Sequence, residues 1–268
     1  MSRLDDAGDL GPGAAPGPSS FPPPVVSPEP PPAFAAAAEQ VFGTRLSLAV
    51  QYAQLLITDG VVRGLIGPRE APRVWERHLI NCGVMSEIIP IGASVADVGS
   101  GAGLPGIVLA VARPDLTITL VEPLARRTAF LSEAVTKLGL DAKVTVTRGR
   151  AEEVADALAP ADVVTARAVA PLDRLAGWCL PLAAIGGRLL ALKGSSAADE
   201  VAEHGEAIAR LGGSDPIVRL CGAGVIEPPT TVVEIVHVAS PGPKAAAPGR
   251  SARRDGGRGA GRRRTRRG

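Results

Sequence analysis

The segment Val95-Ala-Asp-Val-Gly-Ser-Gly-Ala-Gly-Leu-Pro-Gly106 constrains this chain more than any other. An apolar run with the character of a buried strand passes straight into Gly99, Gly101 and Gly103. Glycine takes positive φ at little cost and has no Cβ, so the backbone there can turn sharply and let a ligand approach it. Pro105 suits the first turn of a following helix, where no backbone donor is needed. A strand, a glycine turn and a helix in this order open a doubly wound α/β fold, whose ligands bind at the carboxyl ends of the strands.

The rest of the chain has the matching rhythm. Short β-rich runs at residues 94–98, 117–121, 143–146, 163–165, 188–192, 217–221 and 232–238 read as strands. Amphipathic stretches at 105–112, 125–138, 152–158, 171–182 and 197–211 read as helices between them. That alternation predicts a mostly parallel, seven-stranded sheet covered on both faces. No helix separates the last two strands, so they are expected as an antiparallel terminal hairpin. Before the first strand, residues 35–67 and 69–85 predict two helices forming an N-terminal cap, residues 34–92 in all. The folded domain is expected at 34–238, a size that suits one core. Residues 1–33 hold ten prolines and are expected to be disordered, as is the Gly-, Ala-, Pro- and Arg-rich stretch 239–268.

Charge is blocky. From Lys244 onward there are ten Lys or Arg and one acid, a net of +9, so the rest of the chain sums to 2 − 9 = −7. A tail of that kind engages polyanions. Cys82, Cys179 and Cys221 are scattered and odd in number, which argues against a disulfide framework and a thiolate zinc site and fits a reducing cytoplasm. His78, His204 and His237 show no metal-ligand spacing. There is no basic, apolar leader and no apolar run of the ~20 residues a spanning helix needs. A metal-free, cytoplasmic monomer with no membrane contact is expected.

The glycines leave two cofactor readings open. Gly101-x-Gly103-x-x-Gly106 also fits the dinucleotide fingerprint, a weak signal by itself. Asp97, two residues before Gly99, suits the ammonium of a methionine moiety, whereas a pyrophosphate wants uncharged backbone donors. Glu122, ending the second strand, can accept ribose hydroxyls from either cofactor. The rivals are therefore a methyl-donor enzyme, a nicotinamide-dependent oxidoreductase, and a nonenzymatic RNA-binding ribosome-assembly protein.

Several segments taken together are more specific. The stretch from Asp97 to Ala110, then Arg113-Pro-Asp115, Leu120-Val-Glu-Pro-Leu-Ala-Arg-Arg127, Arg77-His78-Leu79, Arg148-Gly-Arg-Ala-Glu-Glu153, Ala166-Arg-Ala168 and Ala191-Leu-Lys-Gly194, resembles the RsmG (GidB) family, with an actinobacterial flavour in Trp75-Glu-Arg-His78. The resemblance covers about 42–236. It implies a class I, Rossmann-like methyltransferase that uses S-adenosylmethionine to methylate guanine N7 in 16S rRNA of the small ribosomal subunit. It further implies cofactor contacts at Gly99, Leu104, Ala151, Glu152 and Arg167. Gly64 to Glu70 departs from the family pattern, keeping Leu65 but lacking an Asn and a Thr.

Guanine N7 is already nucleophilic, so such a reaction needs placement rather than a base. Arg167 and Lys193 are the candidate catalytic residues. Arg126, Arg127, Arg150, Lys193 and His78 are the candidate RNA contacts, the basic ones through phosphates or a guanine edge. With only Trp75, Trp178, Tyr52 and four Phe, an aromatic stacking platform is not expected.

Overall fold

The computed structural model describes residues 26–167 and 170–239. Segments 1–25 and 240–268, both expected to be disordered, lie outside the described residues. Residues 26–33, expected to be disordered, are among the described residues. The indole N–H of Trp75 donates to the Pro28 carbonyl at 2.8 Å, anchoring a stretch that proline content alone marked as disordered.

The cap is more broken than its apolar periodicity suggested. Helix α1 (Ala35–Phe42) stops at Gly43, whose φ of +49° cannot continue a right-handed α-helix. Helix α2 (Leu46–Leu55) runs on into a π-helical turn, Leu56–Gly60. After a turn, the second stretch passes through a π-helical segment, Trp75–Ile80, into the short α3 (Asn81–Gly83) and a 3₁₀ stretch, Val84–Ile88. Together these bury Tyr52, Trp75, His78 and Met85 against the sheet domain.

The sheet has seven strands: β1 (Ser94–Val98), β2 (Thr117–Glu122), β3 (Val144–Arg148), β4 (Ala161–Arg167), β5 (Ala183–Lys193), β6 (Ile217–Cys221) and β7 (Thr230–Val236). Their spatial order is β3-β2-β1-β4-β5-β7-β6. The pairings β1–β2, β1–β4, β2–β3 and β4–β5 are parallel, and β7 runs antiparallel to both β5 and β6. The crossover helices are α4 (Gly106–Ala112), α5 (Ala125–Lys137), α6 (Ala151–Val154), α7 (Leu172–Cys179) and α8 (Ala197–Arg210).

Strand β5 starts five residues earlier than expected, at Ala183 instead of 188. Gly186 and Gly187 made that part read as a loop. A Cβ on Gly187 would lie 2.9 Å from the carbonyls of Ala161 and Ala184, so glycine is what lets the strand pass there. Helix α6 is a single turn, shorter than the 152–158 expected.

Neighbouring residues on each inner strand go to opposite faces, and both faces are apolar. Val95, Ile118, Leu120, Val163 and Leu190 join the cap, α4 and α5 in one core. Ala96, Val98, Val164, Leu189 and Ala191 join α7 and α8 in the other. This is why the strands read as short continuous apolar runs and not as alternations. The sheet order reverses between β1 and β4, and a doubly wound sheet opens a crevice at such a point.

Candidate active site

The glycine turn lies over this crevice, and its donors are spent inward. The amides of Gly99 and Ser100 both donate to the Val121 carbonyl, at 2.9 and 3.2 Å. Those of Gly103 and Leu104 donate to the Ser100 carbonyl. Gly101 N–H donates to Glu122 Oε2 at 3.0 Å, and Gly106 N–H to Asp97 Oδ2 at 3.1 Å. Gly99, Gly101 and Gly103 all have positive φ (70°, 57° and 95°), the left-handed backbone that glycine alone takes readily. Gly103 and Gly106 are also packing glycines. A Cβ on Gly103 would sit 2.9 Å from the Tyr52 hydroxyl, and one on Gly106 would strike the Leu120 side chain and Asp97.

Two carboxylates are therefore buried under the turn. Asp97 is fully buried, and its Oδ1 accepts from the Thr165 hydroxyl at 3.0 Å. Burial pushes its carboxyl up to about 6, against the pull of hydrogen bonds from Thr165 and Gly106 and of the Arg167 charge. Glu122 is also buried, and its second oxygen accepts from Leu124 N–H at 3.0 Å. The Arg127 guanidinium lies 3.7 Å from Glu122, so its charge faces inward as much as outward.

Two hollows flank the crevice on the carboxyl edge of the sheet. A cavity of about 160 Å³ over β1–β3 is lined by Val98, Gly99, Val121, Pro123, residues 149–152 and Trp178. It brings together Gly99, Ala151 and Glu152, three of the expected cofactor positions. Leu104 lies instead in the core beneath the turn, and Arg167 lies across the crevice. A larger groove of about 680 Å³ over β4, β5 and β7 is walled by Arg73, Glu76 and Arg77 of the cap, Arg167, Lys193, Ser195 and the 227–231 turn.

The candidate cations separate clearly. Arg126, on the exposed first turn of α5, has no carboxylate within 4 Å among the described residues, and Arg150 is 67% exposed. Lys193 is not the free cation that was expected. Its ammonium is almost buried and donates to Glu200 at 2.7 Å and to the Ala170 carbonyl at 2.9 Å, which neutralises it within the groove wall. His78, another expected RNA contact, is buried, with only 2% of it exposed. Its Nδ1 lies 2.7 Å from a guanidinium nitrogen of Arg167, whose other terminal nitrogen donates to Cys82 Sγ at 3.2 Å.

Three contributors escaped sequence reasoning. Tyr52 in α2 donates its hydroxyl to the Ala102 carbonyl at 2.7 Å, and so ties the cap to the glycine turn. Trp178 supplies the aromatic wall of the smaller cavity from α7. Cys82 holds Arg167. None carries a local motif. Their residue types and positions gave no hint of what they would meet.

Among the described residues no group of His, Cys, Asp or Glu could hold a metal, and no helix is long and apolar enough to cross a membrane.

The sheet order with its antiparallel β7, joined to a glycine turn over buried carboxylates at the switch point, defines a class I methyltransferase. The family model described as rRNA small subunit methyltransferase G (GidB) matches residues 45–226. The chain is 66% identical to a Salinispora tropica protein named ribosomal RNA small subunit methyltransferase G, over 87% of this chain and 99% of that one. A Streptomyces avermitilis protein of the same name is 56% identical over 81% of this chain and 94% of its own. The chain belongs to the GidB family of small-subunit rRNA methyltransferases.

Proposed function

We propose that this protein transfers a methyl group from S-adenosylmethionine to N7 of a guanine in 16S rRNA. One observation carries the choice of cofactor. The turn that resembles a dinucleotide fingerprint spends the amides of Gly99, Ser100, Gly101, Gly103, Leu104 and Gly106 on internal partners, two of them buried carboxylates. A pyrophosphate needs such donors and is repelled by such carboxylates. A cationic donor is attracted to them.

The residues present fit S-adenosylmethionine. Glu122 has two backbone donors, and a carboxylate offers about four acceptor sites, so it retains capacity for ribose hydroxyls. Val98, Val121, Pro123 and Trp178 suit the faces of an adenine, while Ala151 and Glu152 line the same cavity and suit its polar edge. Asp97, beneath the turn, favours positive charge above it, and Leu104 packs behind the turn. When bound, the cofactor supplies an electrophilic methyl: a carbon–nitrogen bond forms from the N7 lone pair as the carbon–sulfur bond breaks, leaving a neutral thioether and a cationic N7-methylguanine.

The chain's own task is then to place the base and exclude water, effects that can lower a barrier by up to ~7–11 kcal/mol. No general base is required. The groove beside the crevice has room for a base drawn out of its stack. Arg167 uses two guanidinium nitrogens on the cap, and its remaining N–H donors suit an acceptor such as guanine O6. Arg126 and Arg150, exposed on the same edge of the sheet, suit RNA phosphates. Lys193 shapes the groove as an ion pair with Glu200.

Ligand-specific stabilisation tests this. S-adenosylmethionine at 100 times its Kd is expected to add ~2.7 kcal/mol to unfolding free energy, and a nicotinamide dinucleotide nothing. Stabilisation by the dinucleotide and not by the methyl donor would overturn the reading.

A further inference from the structure

We propose that His78 is a positioning residue for methyl transfer, holding Arg167 against the groove wall through its Nδ1; the proposal rests on the methyltransferase reading above. The two residues come from different parts of the molecule, His78 from the cap's π-helical turn and Arg167 from the carboxyl end of β4, 89 positions apart in the chain. A contact of 2.7 Å between an imidazole nitrogen and a guanidinium nitrogen is a hydrogen bond only if the imidazole accepts. Arginine can only donate, so Nδ1 must be bare and the ring proton must sit on Nε2.

The surroundings enforce that state. The charged groups facing the ring are Arg167 from β4, Arg77 on its own turn, and Glu70 from the preceding segment, with a Glu70 oxygen 3.9 Å from Nε2. Burial, and then the Arg167 charge, push the imidazolium form down to about 4, against the weaker pull of Glu70. Nε2 is buried and has no hydrogen-bond partner, so in this tautomer its proton faces the Glu70 carboxylate at 3.9 Å. Cys82, one helical turn further along, receives the other end of the same guanidinium. The cap thus presents two acceptors to Arg167, leaving its outer donors directed at the groove that Arg167 lines.

The test separates an acceptor from a packing residue. His78→Asn puts an amide oxygen near Nδ1, whereas His78→Leu fills the volume without an acceptor. Single-turnover methyl transfer to small-subunit particles is expected to fall about tenfold in His78→Leu and His78→Ala, the value of one hydrogen bond to a charged group, and to recover largely in His78→Asn. In an Arg167→Ala background the same His78 changes are expected to have no further effect. Activity kept in His78→Leu and lost in His78→Asn, or full additivity with Arg167→Ala, would overturn the proposal.

Nitrogen-15 spectra of the imidazole give a readout independent of turnover. A neutral ring protonated on Nε2 is expected from pH 5.5 to 8, with titration moving up toward the ordinary ~6.5 in Arg167→Ala. Ordinary titration in the unsubstituted protein would overturn the contact itself. Loss of all transfer by unsubstituted protein, with the neutral ring intact, would instead locate the failure in the methyltransferase reading.

Discussion

The Tyr52 hydroxyl donates to the Ala102 carbonyl across 2.7 Å, joining the N-terminal cap to the middle of the glycine turn. Both atoms are buried, so neither can turn to water instead. The cap is therefore part of the scaffold of the proposed cofactor site as well as a wall of the proposed RNA groove. Removing the hydroxyl by Tyr52→Phe leaves a buried carbonyl unpaired, at a cost of about 1–3 kcal/mol in urea unfolding. Calorimetry on the same variant is expected to show weaker S-adenosylmethionine binding, since the turn loses its tie to α2. Unchanged stability and affinity together would mean that the turn holds its shape alone.

Gly106 and Gly101 are expected to respond differently to alanine. At Gly106 the added carbon meets Leu120 and Asp97, so overpacking should cost about 1–3 kcal/mol and also displace the amide bonded to Asp97. At Gly101 the space around the added carbon is nearly open, and the cost is the backbone's positive φ, about 1–2 kcal/mol. Thermal unfolding in a double-mutant cycle distinguishes packing from backbone strain: in a Leu120→Ala background the cost of Gly106→Ala should shrink, and that of Gly101→Ala should stay the same.

Asp97 sets a pH dependence. Its folded pKa is raised by burial, to about 6, above the unfolded value near ~3.9. The folded state thus binds the proton more tightly, and that stabilisation is full below about pH 4 and lost as pH rises through about 6. Asp97→Asn cannot ionise, so its stability relative to the unsubstituted protein is expected to improve from pH 4 to 7 in urea titrations. Cofactor affinity should run the other way. It should strengthen through pH 6 in the unsubstituted protein, as the carboxylate forms under a cationic ligand, and stay flat in Asp97→Asn. Flat affinity in both would remove Asp97 from the electrostatics of binding.

Trp178 closes the cavity beside Ala151 and Glu152. It is only half-buried, so Trp178→Ala should cost less fold stability than a core truncation while weakening S-adenosylmethionine binding about tenfold, the scale of one base–aromatic stack. Equal affinity in the variant would assign the adenine to another surface.

Much of this architecture was legible from residue order. Strands β1 and β6 lie where apolar runs placed them, because Gly99 and Gly222 punctuate their ends. The terminal hairpin followed from the lack of any helical period between residues 221 and 230. The hidden half of β5 was masked by Gly186 and Gly187, which read as a loop and serve as a close passage beside Ala161. At the site, Asp97, Gly99 and Glu122 were candidates because they sit at or just past strand ends, where the fold fixes direction, whereas Ala151 and Glu152 were candidates only through the resemblance. The partners and burial of Lys193 and His78 were not legible, for a shared reason. Sequence gives a charge or a ring but not its partner, and Glu200 and Arg167 lie on other elements. The same blindness hid Tyr52, whose role exists only once the cap has docked.

The most direct test of the account is transfer of labelled methyl from S-adenosylmethionine to small-subunit particles from a strain lacking this protein, with the modified base mapped. The account predicts N7-methylguanine at a single 16S rRNA site, abolished when Asp97→Ala removes the carboxylate that Gly106 and Thr165 hold. Label on another atom or another molecule, or none despite measurable cofactor binding, would contradict it.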